Sequence, residues 1–129
     1  MYTNLFERKE FLEQSWISQN SSRMFTNSLK DNKSVIHINL LRATAHEAEM
    51  FKSFLKKISF NAETPVIIDF SECNFIDSTF LSSVLIFNRN NKMKVELVVK
   101  DLRQLTIFRI TKLNKIFDIY PSLELAMAS

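Results

Sequence analysis

The stretch Pro65-Val66-Ile67-Ile68-Asp69-Phe70-Ser71-Glu72-Cys73-Asn74-Phe75-Ile76-Asp77-Ser78-Thr79-Phe80-Leu81 decides the fold. Pro65 starts a short run in which Val66, Ile67, Ile68 and Phe70 surround one carboxylate. The run is apolar on both pleat faces, which suits a central strand covered on both sides. A few turn residues follow, and Asp77 then opens a helix. Asp77 or Ser78 is the residue whose side-chain oxygen accepts from the first free amides. Phe80, Leu81, Val84, Leu85 and Phe87 recur at helical spacing and form the inner side, with Ser82, Ser83, Asn88 and Arg89 outside.

Towards the N-terminus, Ser34 to Leu41 alternates Ile36, Ile38 and Leu40 with His37 and Asn39, a strand pattern. Thr44-Ala45-His46-Glu47 matches a capping box, and Ala48, Phe51, Phe54, Leu55 and Ile58 continue it as a helix from about 45 to 58. Arg23 to Leu29 reads as a further strand, turned back by Lys30-Asp31-Asn32-Lys33. Towards the C-terminus, Met93 to Lys100 is a strand in which Val95, Leu97 and Val99 alternate with Glu96 and Val98. Asp101 caps a third helix carrying Leu102, Leu105 and Phe108. Ile116 to Tyr120 forms a last short strand, and Pro121-Ser122-Leu123-Glu124 starts a closing helix. Strands alternating with helices imply parallel neighbours and an α/β layer. The expectation is a mixed sheet of four to five strands with about four helices over residues 22–129, its first strand pair antiparallel. Residues 1–21 form an N-terminal extension. Its Leu5, Leu12 and Trp16, with Phe6 and Ile17, suggest a short amphipathic helix packed on the domain, broken at Asn20-Ser21-Ser22.

The 129 residues suit one domain, and 46% apolar composition with 12 phenylalanines can build a core. Net charge is only +3, with no basic block of the kind that tracks phosphates, so no nucleic-acid partner is expected. Lys56-Lys57 and Arg89 read as solvated surface. Glycine is absent, which excludes every glycine-rich phosphate loop. Asp31-Asn32 and Asn88-Arg89-Asn90-Asn91 must then supply turns with positive φ. Cys73 is the single cysteine, read as a half-buried thiol, so neither a disulfide nor a thiolate cluster is expected. His37 and His46 lack ligand spacing. Asp69 and Asp77 flank one connection, but no nucleophile–base set accompanies them, and Ser78 has no histidine close in sequence to activate it. No enzyme, cofactor or metal is therefore expected. Tyr2 to Glu10 turns polar early and no apolar run nears the roughly 20 residues of a membrane span. The expectation is a cytoplasmic protein without direct membrane insertion.

Val66-Ile67-Ile68-Asp69-Phe70-Ser71, Phe75-Ile76 and Asp77-Ser78-Thr79-Phe80-Leu81, in that order, resemble the STAS family, especially the bacterial anti-sigma factor antagonists. That family has a strand ending in a carboxylate, a turn, and then an Asp-Ser-Ser/Thr-Gly-Leu element opening a helix. Leu113 to Ala126 is similar to its closing strand and helix, and the likeness runs over roughly residues 22–129. The resemblance implies a partner switch. The unmodified antagonist binds an anti-sigma factor that is also a serine kinase of histidine-kinase-like ATPase fold. The kinase phosphorylates the serine after the aspartate, here Ser78, with Thr79 the lesser acceptor. A metal-dependent serine phosphatase reverses this.

On the same resemblance, Asp77, Ser78, Thr79 and Phe80, with Arg42, Thr44 and His46 of the loop before the first helix, make up the partner-binding surface. The alternative is an unphosphorylated STAS adaptor or scaffold subunit, stressosome-like or accessory to a transporter. Two positions depart from the family. Phe80 stands where it has glycine, and either blocks close approach of a partner or turns inward. Leu40-Leu41-Arg42-Ala43-Thr44-Ala45 lacks the loop's usual glycine and acid.

Overall fold

A computed structural model describes residues 23–129; the helix expected over residues 1–21 lies outside the described residues. Strands β1 (Phe25–Lys30) and β2 (Lys33–Ile38) form an antiparallel hairpin. Asp31 (φ 46°) and Asn32 (φ 63°) make its two-residue turn, the left-handed conformation that Asp and Asn tolerate better than most residues. Strands β4 (Val66–Asp69), β6 (Val95–Val98) and β7 (Asp118–Tyr120) follow in parallel, giving one mixed sheet ordered β1-β2-β4-β6-β7. The sequence leads to α/β architecture, and the sheet is of that kind. A second, two-stranded sheet pairs β3 (Arg42–Ala43) with β5 (Phe75–Ile76). The helices are α1 (Ala45–Lys56), α2 (Ser78–Asn90), α3 (Leu102–Ile110) and α4 (Leu123–Ala128).

Adjacent strand residues point to opposite faces, so the sheet has two unequal cores. Ile36, Ile68 and Leu97 face Met50 and Phe51 of α1, Phe80 and Val84 of α2 and Phe108 of α3. Val35, Ile67 and Val98 face the other way, against Ala126 of α4. Four rings fill the centre of the larger core. Phe51 stacks on Phe80 with centroids 4.9 Å apart, Phe25 lies 5.1 Å from Phe51, and Phe70 meets Phe80 edge-on at 6.0 Å. Such pairs add about 0.5–1.5 kcal/mol beyond their buried area.

Three expectations are corrected. Ser83 is buried rather than outside; its hydroxyl donates to the Phe80 carbonyl at 2.7 Å, which satisfies it within the helix. Asn88 to Asn91 have no positive φ; Asn91 is extended at φ −129° and its side-chain amide donates to the Phe87 carbonyl at 2.8 Å. The left-handed residue that ends α3 is Lys112 (φ 61°). Cys73 is 2% exposed, not half-buried, and burial, seconded by Glu72 and Asp69, pushes its thiol up to about 12 from its ordinary 9.0.

One test follows from that thiol. In the folded protein it stays protonated at pH 8–9, so a thiol reagent modifies Cys73 at least ~100-fold more slowly than in urea. Equal rates would place the thiol at the surface. The sign for stability also follows: the unfolded chain loses this proton first, so stability falls as pH rises from 9.0 towards about 12.

Candidate functional site

The end of the sheet where the parallel strands finish collects the connections β2–α1, β4–α2 and β6–α3, the usual place for a site in an α/β sheet. Asp77 organises it. It is the N-cap of α2, with φ −84° and ψ 169°. One carboxylate oxygen accepts from the Phe80 amide at 2.8 Å, and the other accepts from the Ala45 amide, at the start of α1, at 2.7 Å. The Asp77 amide in turn donates to the Ala43 carbonyl at 2.9 Å. A single carboxylate thus ties two helix N-termini together, where the positive dipole ends favour its charge.

Thr44 caps α1 through the expected box: its backbone amide donates to Glu47 at 3.1 Å and its hydroxyl accepts from the His46 amide at 3.3 Å. Arg42 pairs with Phe75 across β3–β5, and its guanidinium lies 4.3 Å from that ring's centroid. Contacts of this kind hold a cation over an aromatic face. The loop that lacks an acid thus carries a fixed cation.

Ser78 and Thr79 are both exposed in the first turn of α2. The Ser78 carbonyl accepts from Ser82 at 2.8 Å, but its own hydroxyl has no hydrogen bond among the described residues. The first amides of a helix have no intrahelical partner, so the Ser78 hydroxyl stands beside unpaired N–H groups. The structure therefore brings Arg42, Thr44, Asp77, Ser78 and Thr79 to one end, with His46 exposed on the first turn of α1. Of the two readings of Phe80, the structure has the inward one. Its side chain is 0% exposed and belongs to the ring cluster, so it contributes no side chain to this surface.

Asp69 has partners separate from those of Asp77: it accepts from the Ser71 amide at 2.9 Å and lies 3.0 Å from His37 Nδ1. Among the described residues, no group of three or more His, Cys, Asp or Glu is arranged to hold a metal.

Two contributors escaped the sequence reading. Gln104 is buried, accepts from the Ile76 amide at 3.3 Å and donates to the Asn74 carbonyl at 3.5 Å, docking α3 against β5. Leu41, 70% exposed, stands on the same end, its carbonyl accepting from Asn74 at 2.8 Å. A polar residue on the inner arc of α3 was the available signal for Gln104. For Leu41 the signal was its phase: it falls with His37 and Asn39, opposite the apolar face of Ile36, Ile38 and Leu40.

One mixed sheet with helices layered on both faces, and a polar loop cluster at its carboxyl end, defines an α/β domain of three layers. The STAS domain profile matches residues 31–126, and the chain belongs to that family. Two solved structures share the fold. An anti-sigma factor antagonist from Mycobacterium paratuberculosis aligns at TM-score 0.71 and 18% identity, covering 81% of this chain and 90% of that one. A protein described as a putative anti-sigma factor antagonist from Thermotoga maritima aligns at TM-score 0.67 and 19% identity, covering 84% and 95%. No curated protein matches the chain in sequence. Among the described residues, no helix is long and apolar enough to cross a membrane.

Proposed function

We propose that this protein is an anti-sigma factor antagonist: a cytoplasmic partner switch that works by binding rather than catalysis and is controlled by phosphorylation of Ser78. The observation that carries the reading is the Ser78 hydroxyl, exposed and without a hydrogen bond in the first turn of a helix that Asp77 anchors to α1. The fold likeness to two anti-sigma factor antagonists supports it. The partner is an anti-sigma factor that is also a serine kinase of histidine-kinase-like ATPase fold, and a metal-dependent serine phosphatase restores the free hydroxyl. A phosphate on Ser78 adds a charge of about −1.5 to −2. The unpaired amides and dipole of α2 accept that charge locally, so the fold is kept. A partner docked over Arg42, Thr44, His46, Asp77, Ser78 and Thr79 meets added charge and bulk instead, and its affinity falls. Phe80 leaves this approach open, because its ring faces the core.

The second reading is an unphosphorylated STAS adaptor or scaffold subunit. The specific observation favouring it is the loop Leu40 to Ala45, which has no carboxylate and presents Arg42 instead.

Intact mass with peptide mapping, on protein from its native host with phosphatases inhibited, separates the two. The switch predicts a fraction with one phosphate on Ser78, absent from Ser78→Ala. A wholly unmodified population under every growth condition, or phosphate confined to another residue, rejects it in favour of the adaptor.

A further inference from the structure

Between Leu102 and Phe117 the chain carries Arg103, Arg109, Lys112 and Lys115 and no acidic residue. These four charges exceed the whole chain's net +3, so everything outside this stretch is net negative by one charge. The same stretch holds four of the eight large hydrophobic side chains exposed among the described residues: Leu102 (78%), Ile107 (47%), Ile110 (73%) and Ile116 (54%). On α3, Leu102, Thr106, Ile110, Arg103 and Ile107 span an arc of about 140°. The buried Gln104 and Phe108 lie on the opposite side.

Two details make this face more apolar than its composition. The Thr106 hydroxyl donates to the Leu102 carbonyl and the Thr111 hydroxyl to the Ile107 carbonyl, both at 2.8 Å, so their polar groups are turned onto the helix itself. Arg103 pairs loosely with Asp101 at 3.7 Å, while Arg109, Lys112 and Lys115 have no acidic partner among the described residues. Leu113 and Phe117 are buried and hold the turn after α3 against the core.

Clustered exposed apolar side chains mark an interaction surface. This one is the convex outside of a helix whose inner arc is already in the core. Cations are interleaved with its apolar residues, and the rest of the molecule offers no net positive charge. A broad anionic surface would orient the molecule with this face towards it.

We propose that α3 and the turn after it form a docking surface for anionic phospholipid membranes. Leu102, Ile107, Ile110 and Ile116 enter the headgroup boundary, and Arg109, Lys112 and Lys115 pair with lipid phosphates. Basic amphipathic helices lie in the membrane interface in this way without spanning it. Each cation near such a surface contributes about a fivefold gain in partitioning.

The test is co-sedimentation of the full chain at low salt with vesicles of phosphatidylglycerol and phosphatidylcholine in equal parts, against pure phosphatidylcholine. The wild type partitions at least ~10-fold better onto the anionic vesicles. Lys112→Gln/Lys115→Gln lowers that partitioning by about 25-fold. Ile107→Ser/Ile110→Ser lowers it as well, and because both side chains are exposed, the melting temperature stays unchanged. Lys56→Gln/Arg89→Gln removes the same charge from α1 and α2 and leaves binding intact. Equal partitioning onto both vesicles, or equal loss in the Lys56/Arg89 control, overturns the proposal. So does absence of binding to either vesicle, which would point to an acidic protein surface as the occupant.

Discussion

Phe80→Ala unfolds at a much lower urea concentration than the native chain, with the transition slope unchanged and about 3–5 kcal/mol of stability lost. The ring is fully buried at the centre of a phenylalanine cluster, 4.9 Å from Phe51, 6.0 Å from Phe70 and 6.3 Å from Phe25. Three elements of the core meet there: the hairpin through Phe25, α1 through Phe51 and α2 through Phe80 itself. Its removal leaves a cavity that cannot close without moving two helices. Phe80→Gly costs about 1 kcal/mol more, from the greater freedom of the unfolded glycine chain. Phe80→Leu keeps most of the volume and loses less. A loss below about 1 kcal/mol for Phe80→Ala would mean that the neighbouring rings collapse into the space, and that this position matters for the surface rather than for the core.

Lys33→Met is expected to cost about 3–5 kcal/mol and to lower the melting temperature by more than about 10 °C. The cause is Glu96, whose side chain is 1% exposed on the face of β6 that α4 covers. Lys33 lies 3.7 Å from it, and its ammonium also donates to the main-chain oxygens of Ala126 and Ser129, both at 2.9 Å. The Ser129 hydroxyl donates to Glu96 at 3.1 Å. The pair thus clasps α4 onto the sheet, and loss of the lysine leaves a buried carboxylate without its cation. Lys33→Met/Glu96→Leu removes both charges and recovers most of the loss, as matched apolar replacements of buried pairs often do. If the double variant is no better than the single one, the loss comes from the hydrogen bonds to α4 rather than from the stranded charge.

Phe80 was placed on the inner side of its helix by spacing alone, although the identity of its neighbours was not. The Lys33–Glu96 clasp could not be seen in sequence, because β2 and β6 are not even adjacent in the sheet; β4 lies between them.

The misplaced residues show why local pattern has limits. Its polarity puts Ser83 on the outer side, although at 100° per residue it lies within 60° of both Phe80 and Phe87. Chemistry overrode geometry in that reading, and the helix carbonyls of Thr79 and Phe80 accommodate the hydroxyl. Leu102, Leu105 and Phe108 recur every three residues on α3, yet Phe108 is buried and Leu102 is 78% exposed. Each step of three residues turns the helix 60° short of a full revolution, so two steps from Phe108 carry Leu102 off the buried arc. Lys112 gave no sign of its left-handed backbone, since neither Gly, Asn nor Asp stands there.

At the site, the division is sharper. The sequence by itself determined the order of the main-sheet strands and the helices, the hairpin turn at Asp31-Asn32, the Thr44–Glu47 capping box, a cap at Asp77 or Ser78 and the hydroxyls beside it. All of these are local, set by contacts within a few residues along the chain. Only the tertiary structure decided that Asp77 also holds the Ala45 amide, that Arg42 lies on Phe75 and that Gln104 docks α3 beside them. Those contacts depend on the two-residue pairing of β3 with β5, too short to leave a periodic trace, and on crossovers that bring separate loops to one end of the sheet. Periodicity reports which way a side chain points relative to its own helix or strand, whereas contact between elements depends on their arrangement in space.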